Sequence, residues 1–428
     1  MKRILIISLI LFTLVLTSCT FNSNTNTTDD ELKISSEDLL KMKEQAKLEI
    51  DQTFNAEYNF CDKDLEIINA RIETGKNAID KAKTPKEVNS QKEISIKSIN
   101  NFQSSVIDLY VPCGIPIACG DGTKDNPFII ANPGNLICFI NWINSGINND
   151  SYFELANDID CKEFIVSPIG IMQDREFCGY FNGNGHEIKN FHLQATYMEG
   201  LMKYFGLFGN NKGIIENLGI VNFTYVLTWS SRRDNVREIY IGGISGWNEG
   251  VIRNCYSIGR ADLVYWDNTI YALHPTYFGG ISGVNEGKIE NSYVDITAEF
   301  EIKKNREPGS GSIHGIAHLG RKGIITNCLA VFTGKVVCEG TEIALYDDEY
   351  FYGIGDRTSN IENSYFYNLD YFKEYPHRPN KCKQEYLNDS KFYIEILKWD
   401  PSIWDLTNIY IEKESNHFTF YPKLYSKE

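Results

Sequence analysis

The chain has 428 residues, room for two or three domains, and 42% of them are apolar, ample for a packed core. Its 57 acidic against 42 basic side chains leave a net charge of −15, which argues against a nucleic-acid backbone as partner, because phosphate binding needs a basic face. The same acidity suits a soluble, secreted surface.

Met1-Lys-Arg3 opens the chain, and Ile4 to Leu16 is an apolar run too short and wrongly flanked for a stable membrane span. The run ends in Leu16-Thr-Ser-Cys19, which resembles a bacterial lipobox. The resemblance implies a lipoprotein signal peptide over residues 1–18 and fatty-acyl (palmitate-type) attachment at Cys19. Two or more acyl chains anchor firmly where one is marginal. The implied location is the cell envelope, facing away from the cytoplasm at the outer membrane or cell surface. Thr20, not Asp, comes after Cys19, so an inner-membrane retention signal is absent.

Residues 19–34 are rich in Asn, Thr and Asp without apolar period and read as a flexible tether. Residues 35–110 read as an α-helical spacer of three helices. The first starts with capping chemistry at Ser35. The second runs from about Asp62 to Lys83, with Leu65, Ile68, Ile72 and Ile79 on its apolar side, and Thr84-Pro85 caps the third. On the strength of Gly75-Lys-Asn-Ala-Ile-Asp-Lys-Ala-Lys-Thr-Pro-Lys-Glu-Val88, this segment resembles the small FIVAR modules of bacterial surface proteins. Val111 to Gly122 is a linker, and Asn132-Pro133 starts a helix suited to cover the open end of a stacked fold.

From Gly179 to Tyr365 the chain repeats itself. Ile241-Gly-Gly-Ile-Ser-Gly-Trp-Asn-Glu-Gly-Val-Ile-Arg-Asn-Cys-Tyr-Ser257 returns 37 residues later as Phe278-Gly-Gly-Ile-Ser-Gly-Val-Asn-Glu-Gly-Lys-Ile-Glu-Asn-Ser-Tyr-Val294. Weaker copies place the Asn of an Ile-x-Asn triplet at Asn190, Asn217, Asn254, Asn291, Asn327 and Asn363, with spacings of 27, 37, 37, 36 and 36. A fixed period of this size means stacked like units. Each unit holds short strand-like runs and no helix-length amphipathic pattern, so helical repeats fail and one rung of a parallel β-helix fits. Stacking explains the constant Asn: its amide can bond to the Asn above and below, and Asn tolerates the left-handed backbone of a corner. The paired glycines suit the opposite corner, through positive φ or close backbone approach.

These units resemble GLUG repeats, found in bacterial surface proteins and near the N-termini of some IgA-cleaving metallopeptidases. Asp121-Gly-Thr-Lys-Asp-Asn-Pro-Phe-Ile-Ile130 and Asn157-Asp-Ile-Asp160 resemble the lead-in of such arrays. The expected fold is mainly β: a parallel β-helix (solenoid) of about six rungs over residues 120–370 with its N-terminal cap, a C-terminal cap over residues 371–428, and the N-terminal three-helix spacer.

Catalytic signatures are sparse. No Cys-x-x-Cys or zinc spacing occurs, and Cys113 and Cys119 are close enough to pair in an oxidising space without spacing deciding it. Cys255 and Cys328 share one repeat position with Ser292 and Ser364, as small inward-facing residues would. His186-Glu-Ile-Lys-Asn190 is not the zinc-peptidase His-Glu-x-x-His. His314 and His318 would share a face of an extended strand, but a metal would need further ligands that the sequence does not single out. No metal ligands or cofactors are assigned. Asp347-Asp-Glu349 and Asp158 with Asp160 are the densest carboxylates. The residue before the repeated Asn runs Glu216, Arg253, Glu290, Thr326, Glu362, as on a solvated face.

The segments exempt from the repeat, Phe223 to Tyr240 and Asp262 to Tyr277, hold the candidate ligand-binding residues Tyr225, Trp229, Arg232, Tyr265, Trp266 and Tyr271. They leave adjacent units at equivalent points and are expected to form one patch, with Trp229 near Trp266 and Arg232 and Asp267 orienting a polar ligand. The expected function is a lipid-anchored surface protein, adhesin-like or ligand-binding through one face of a β-helix. Its partners are the membrane through the lipid and a glycan or extracellular host protein, with no nucleic acid. A carbohydrate-active β-helix enzyme and a purely structural envelope protein are the alternatives.

Overall fold

A computed structural model describes residues 35–54, 62–108, 120–162, 168–170, 175–196, 204–231, 238–267, 276–303, 312–338, 341–343, 351–356, 360–368, 380–411 and 417–426. The leader, Cys19 and the tether lie outside the described residues, as do Cys113, Cys119 and Asp347-Asp-Glu349.

Three N-terminal helices form where capping and apolar spacing place them: α1, Ser36–Asp51; α2, Asp62–Lys81; and α3, Pro85–Asp108. The Ser35 side chain accepts from the Asp38 amide at the start of α1. A capping box opens α3, with the Glu87 amide donating to Thr84 Oγ1 and the Thr84 amide to Glu87 Oε2. Ile68, Ile72 and Ile79 are buried as the spacing predicts.

The rest is a parallel β-solenoid. Taking the rung at 239–267, the chain lays down Ile239–Gly242 in a first wall, Ser245–Asn248 in a second, Val251–Arg253 in a third and Tyr256–Asp267 in a fourth. The next copy pairs with each in parallel, 37 residues on. The walls hold five, four, eight and nine strands in that order. Among the described residues four complete rungs appear (204–231, 239–267, 276–303, 312–338), against the six or so expected. The units around 180–196 and 351–367 supply strands to only some of the walls. Ile215, Ile252, Ile289 and Ile325 pair in register along the inside of the third wall, none with any exposure. Such a column returns the apolar burial of every rung to the same place.

The corner between third and fourth walls is the repeated Asn. All six predicted residues have positive φ, from 46° at Asn363 to 56° at Asn190 and Asn327. Asn327 donates to Asn291, Asn291 to Asn254, Asn254 to Asn217 and Asn217 to Asn182, at 3.0–3.4 Å. Asn190 does not belong to this ladder. Register sets Asn182 opposite Glu216 and the Asn217 amide, one position on, bonds to it, while Asn190 instead stacks between Asp160 and Asn222. The odd spacing of 27 marked that break.

A second ladder stands at the end of the second wall. Asn211 donates to Asn248 and Asn248 to Asn285, each at 2.7 Å, and all three residues are wholly buried. The glycines of the opposite corner are required for close approach and not for positive φ: a Cβ on Gly242 would stand 2.1 Å from the Ser245 carbonyl oxygen. The charged column before the corner Asn is also more than a solvated face. Glu216 is buried, Arg253 Nε donates to it, and Tyr180 bonds it from the other side.

Helix α4 (Pro133–Asn144), capped by the Asn132 side chain, covers the first rung. Its Phe139 packs on Phe153, Phe177, Phe181 and Phe208 with ring centroids 4.4–6.3 Å apart. Cys138 on the same helix is disulfide-bonded. The C-terminal segment begins as an end cap, with Asn380 to Cys382 bonding alongside Phe366 on the last fourth-wall strand. It then turns back along the outside of the fourth wall. Trp399 Nε1 donates to the Asn327 carbonyl, the Tyr293 hydroxyl to the Pro422 carbonyl, and Tyr421 to Glu187, so the tail spans several rungs. Tyr256, Tyr293, Trp399, Trp404 and Tyr393 form a second buried core beneath it. The physical reason is the alternation of a strand: the Tyr of each Asn-x-Tyr faces outward, and a stack of such rings needs a cover.

Candidate functional site

Most of the patch expected from the variable segments does not assemble as a described surface. Tyr225 is fully buried, and its hydroxyl donates to the Gly243 carbonyl at 2.9 Å, so it is a core residue and not a ligand contact. Trp229 pairs in register with Tyr265, and Trp266 with Ser230, in long fourth-wall strands of adjacent rungs. The side chains of Trp229, Tyr265, Trp266 and Asp267, and the whole of Arg232 and Tyr271, lie outside the described residues. The carboxylates Asp158 and Asp160 are engaged in the framework: Asp158 by Lys189 and the Glu187 amide, Asp160 by Asn190 and the Lys162 amide.

The last aromatic residues of those two segments, Tyr240 and Tyr277, do come together. They face outward from the first wall because Ile241 and Phe278, one position on, face the core. Register places Tyr204 and Tyr277 on either side of Tyr240. The rings stack with centroids 5.9 Å (Tyr204 to Tyr240) and 5.4 Å (Tyr240 to Tyr277) apart. Trp247, from the second wall, meets Tyr204 and Tyr240 edge-on at 5.5 and 5.1 Å. Its indole N–H has no hydrogen-bond partner. Tyr204, Tyr277 and Trp247 are half-buried, while Tyr240 is nearly covered and bonds Glu238 through its hydroxyl. Burial, then nearby carboxylates, raise the Tyr204 and Tyr277 hydroxyls above their ordinary range, so both stay protonated donors at neutral pH.

The ring column continues into a polar cluster. His318 stacks on Tyr277 at 4.3 Å, His314 lies 5.2 Å from His318, and Tyr352 stacks on His314 at 4.8 Å. His314 and His318 do not share a strand face as expected. They stand on the first and second walls, in Ser312–His314 and Ala317–Leu319, and the corner between brings them together. Burial holds the His314 imidazole neutral, pushing its pKa down to about 3. Burial works to raise Asp356, but the His318 imidazole and the Leu319 amide hold its carboxyl down at about 2.

The sequence pointed to the histidine pair but not to Asp356, to the corner that joins the two or to the place of Trp247. The available signal was departure from the repeat: the glycines at 242 and 279 become His314, and Trp247 stands where the next copy has Val284. Cys255 and Cys328 are buried free thiols, as the shared position with Ser292 and Ser364 predicts, and burial pushes both up to about 12.

Among known proteins, no family and no solved structure matches the chain. It is similar to a protein of Evansella cellulosilytica described as a "Putative Gly-rich membrane protein", 34% identical over 111 residues. The match covers 24% of this chain and 12% of that protein's length. Among the described residues no helix is long and apolar enough to cross a membrane.

Proposed function

We propose that this chain is a lipid-anchored surface protein, of GLUG-repeat type with a FIVAR-like spacer, that binds an extended neutral glycan along the outer ring column of its solenoid. The observation that carries the reading is the line of outward rings, half-buried Tyr204 and Tyr277 on either side of the nearly covered Tyr240, with half-buried Trp247 beside them. Their faces are consumed by one another, so they offer a ligand their edges and the hydroxyls of Tyr204 and Tyr277. Edges and donors at the spacing of one rung suit a long polymer with apolar C–H patches and many hydroxyls. The flanking carboxylates Glu238 and Asp356 and the net charge of −15 disfavour an anionic one. The lipobox at Cys19, the disulfide at Cys138 and the likeness to a protein described as a membrane protein support the location. One site of this kind binds weakly, and many lipid-tethered copies would supply avidity.

The test is a glycan array probed with the purified chain and with a double variant carrying Trp247→Val and Tyr277→Ser. These are the residues that the next rung carries at the same positions, Val284 and Ser312, so the fold tolerates them. At least a tenfold loss of binding is expected, about 1.4 kcal/mol; full retention refutes the ring column as the site. For the anchor, Cys19→Ala abolishes labelling by a fatty-acid analogue, and unchanged labelling refutes it.

A further inference from the structure

We infer that His314, His318 and Asp356 form a binding site for a single divalent zinc-class ion, bridging two successive rungs. One nitrogen from each histidine and one oxygen of Asp356 all lie within 4.8 Å of one another. Ligand bonds of about 2.0–2.2 Å put donor pairs about 3.3 Å apart in a tetrahedron, so a closure of about 1.5 Å completes the geometry. The His318 Nδ1 to Asp356 Oδ2 distance is already 3.3 Å.

Four independent features of the site fit an ion. His314 has no exposure, yet its Nδ1 has no hydrogen-bond partner, and the buried Nδ1 of His318 meets only the Asp356 carboxylate, at 3.3 Å. A buried polar atom without a partner is costly, and the one on His314 requires an explanation in a native fold. The other nitrogen of His314, Nε2, is held by Ser312 Oγ at 2.7 Å, and Asp356 Oδ1 by the Leu319 amide at 2.7 Å. This is the outer support by which ligating side chains are oriented; it leaves His314 Nδ1 without a partner and turns Asp356 Oδ2 toward His318.

The repeat has also been altered here. Position 314 is Gly279 in the preceding rung, where a Cβ would stand 2.0 Å from the Ser282 carbonyl oxygen. The rung at 312–319 relieves that clash by losing one residue, since Ser282 and Val284 pair with the adjacent Ala317 and His318. The deletion therefore admits one imidazole and sets the second beside it. Asp356 reaches the same corner from the following rung, where Leu319 bonds it.

The donor set decides the ion. Two imidazoles and one carboxylate disfavour calcium and magnesium, which take all-oxygen shells, and suit zinc with a fourth position open. The side chains of His318 and Asp356 are 23% and 20% exposed, so that position faces the solvent beside Tyr277. The site does not depend on the glycan reading.

The test is isothermal titration of the untagged, chelator-treated full chain with Zn²⁺ alone, with Co²⁺ absorption as a coordination probe. One ion per chain is expected, with a visible d–d band from Co²⁺. His318→Ala and Asp356→Asn should each weaken binding at least tenfold. His314→Gly, which restores the residue of the two preceding rungs, should do the same while leaving the circular dichroism unchanged. His186→Ala, a histidine distant in sequence, should bind as the parent does. Absence of stoichiometric binding, or binding unchanged in both His318→Ala and Asp356→Asn, overturns the site.

Discussion

Replacing Asn248 by Leu tests the buried ladder of the second wall most directly. Leucine has nearly the shape of asparagine, so the change removes the amide and leaves little cavity. Asn248 accepts from Asn211 Nδ2 and donates to Asn285 Oδ1, both at 2.7 Å and with no exposure on any of the three residues. After substitution Asn211 Nδ2 keeps only the Gly213 carbonyl at 3.4 Å, a weak contact, while Asn285 Oδ1 retains the Gly287 amide at 3.2 Å. One orphaned buried donor costs about 1–3 kcal/mol and the lost bond to Asn285 about another 1, for a total of about 2–4 kcal/mol. That is a large part of a domain stability of about 5–15 kcal/mol. Urea unfolding followed by far-ultraviolet circular dichroism measures the shift. Glu249→Ala, an exposed change in the same turn, is the control and should stay within about 0.5 kcal/mol. Equal shifts at the two positions, or a shift at Asn248 below about 0.5 kcal/mol, refute the ladder as a source of stability.

Gly250→Ala should destabilise by more than an ordinary surface change, because a Cβ there would stand 2.0 Å from the Gly213 carbonyl oxygen in the rung before; an unchanged urea midpoint contradicts the stacking. In the native chain Cys178, exposed and free, should react with iodoacetamide, while Cys255, Cys328 and Cys382 react only after unfolding; mass spectrometry of the labelled peptides decides it. The tail should grip the solenoid less firmly as pH rises. Donating a hydrogen bond to the Asp295 carboxylate raises the His417 pKa above its ordinary 6.5, so this contact contributes fully below 6.5 and is lost as pH climbs through the raised value. Hydrogen-exchange protection factors at residues 417–424, with the intrinsic pH dependence divided out, should therefore fall as pH rises above 6.5, and His417→Ala should flatten the change. Protection that increases with pH reverses the sign and refutes the pairing.

The sequence by itself determined the solenoid, because its information is periodic. A unit that stacks on its own copy meets the same neighbours in every rung, so Ile289 above Ile252 and Asn291 above Asn254 are set by a 37-residue offset alone. The left-handed corner at each Asn, the α4 cap opened by Asn132-Pro133 and the three helices were legible for a related reason: their causes lie within a few residues of chain. Where the period slips, no local pattern serves, and only the hydrogen bond from Asn217 shows that Asn182 and not Asn190 founds the ladder. The tertiary structure alone decided what the non-periodic residues do. Tyr225 looked like a free ring in a variable segment and is core, because inside and outside of a wall are set by register and not by composition. The tail reaches Tyr293 across 129 residues, a contact that no local pattern encodes. His314, His318 and Asp356 converge because a corner folds two walls together and one deleted residue shifts the second of them. Spacing along an extended strand could not bring three donors from two rungs to one point; a bend repeated every rung could.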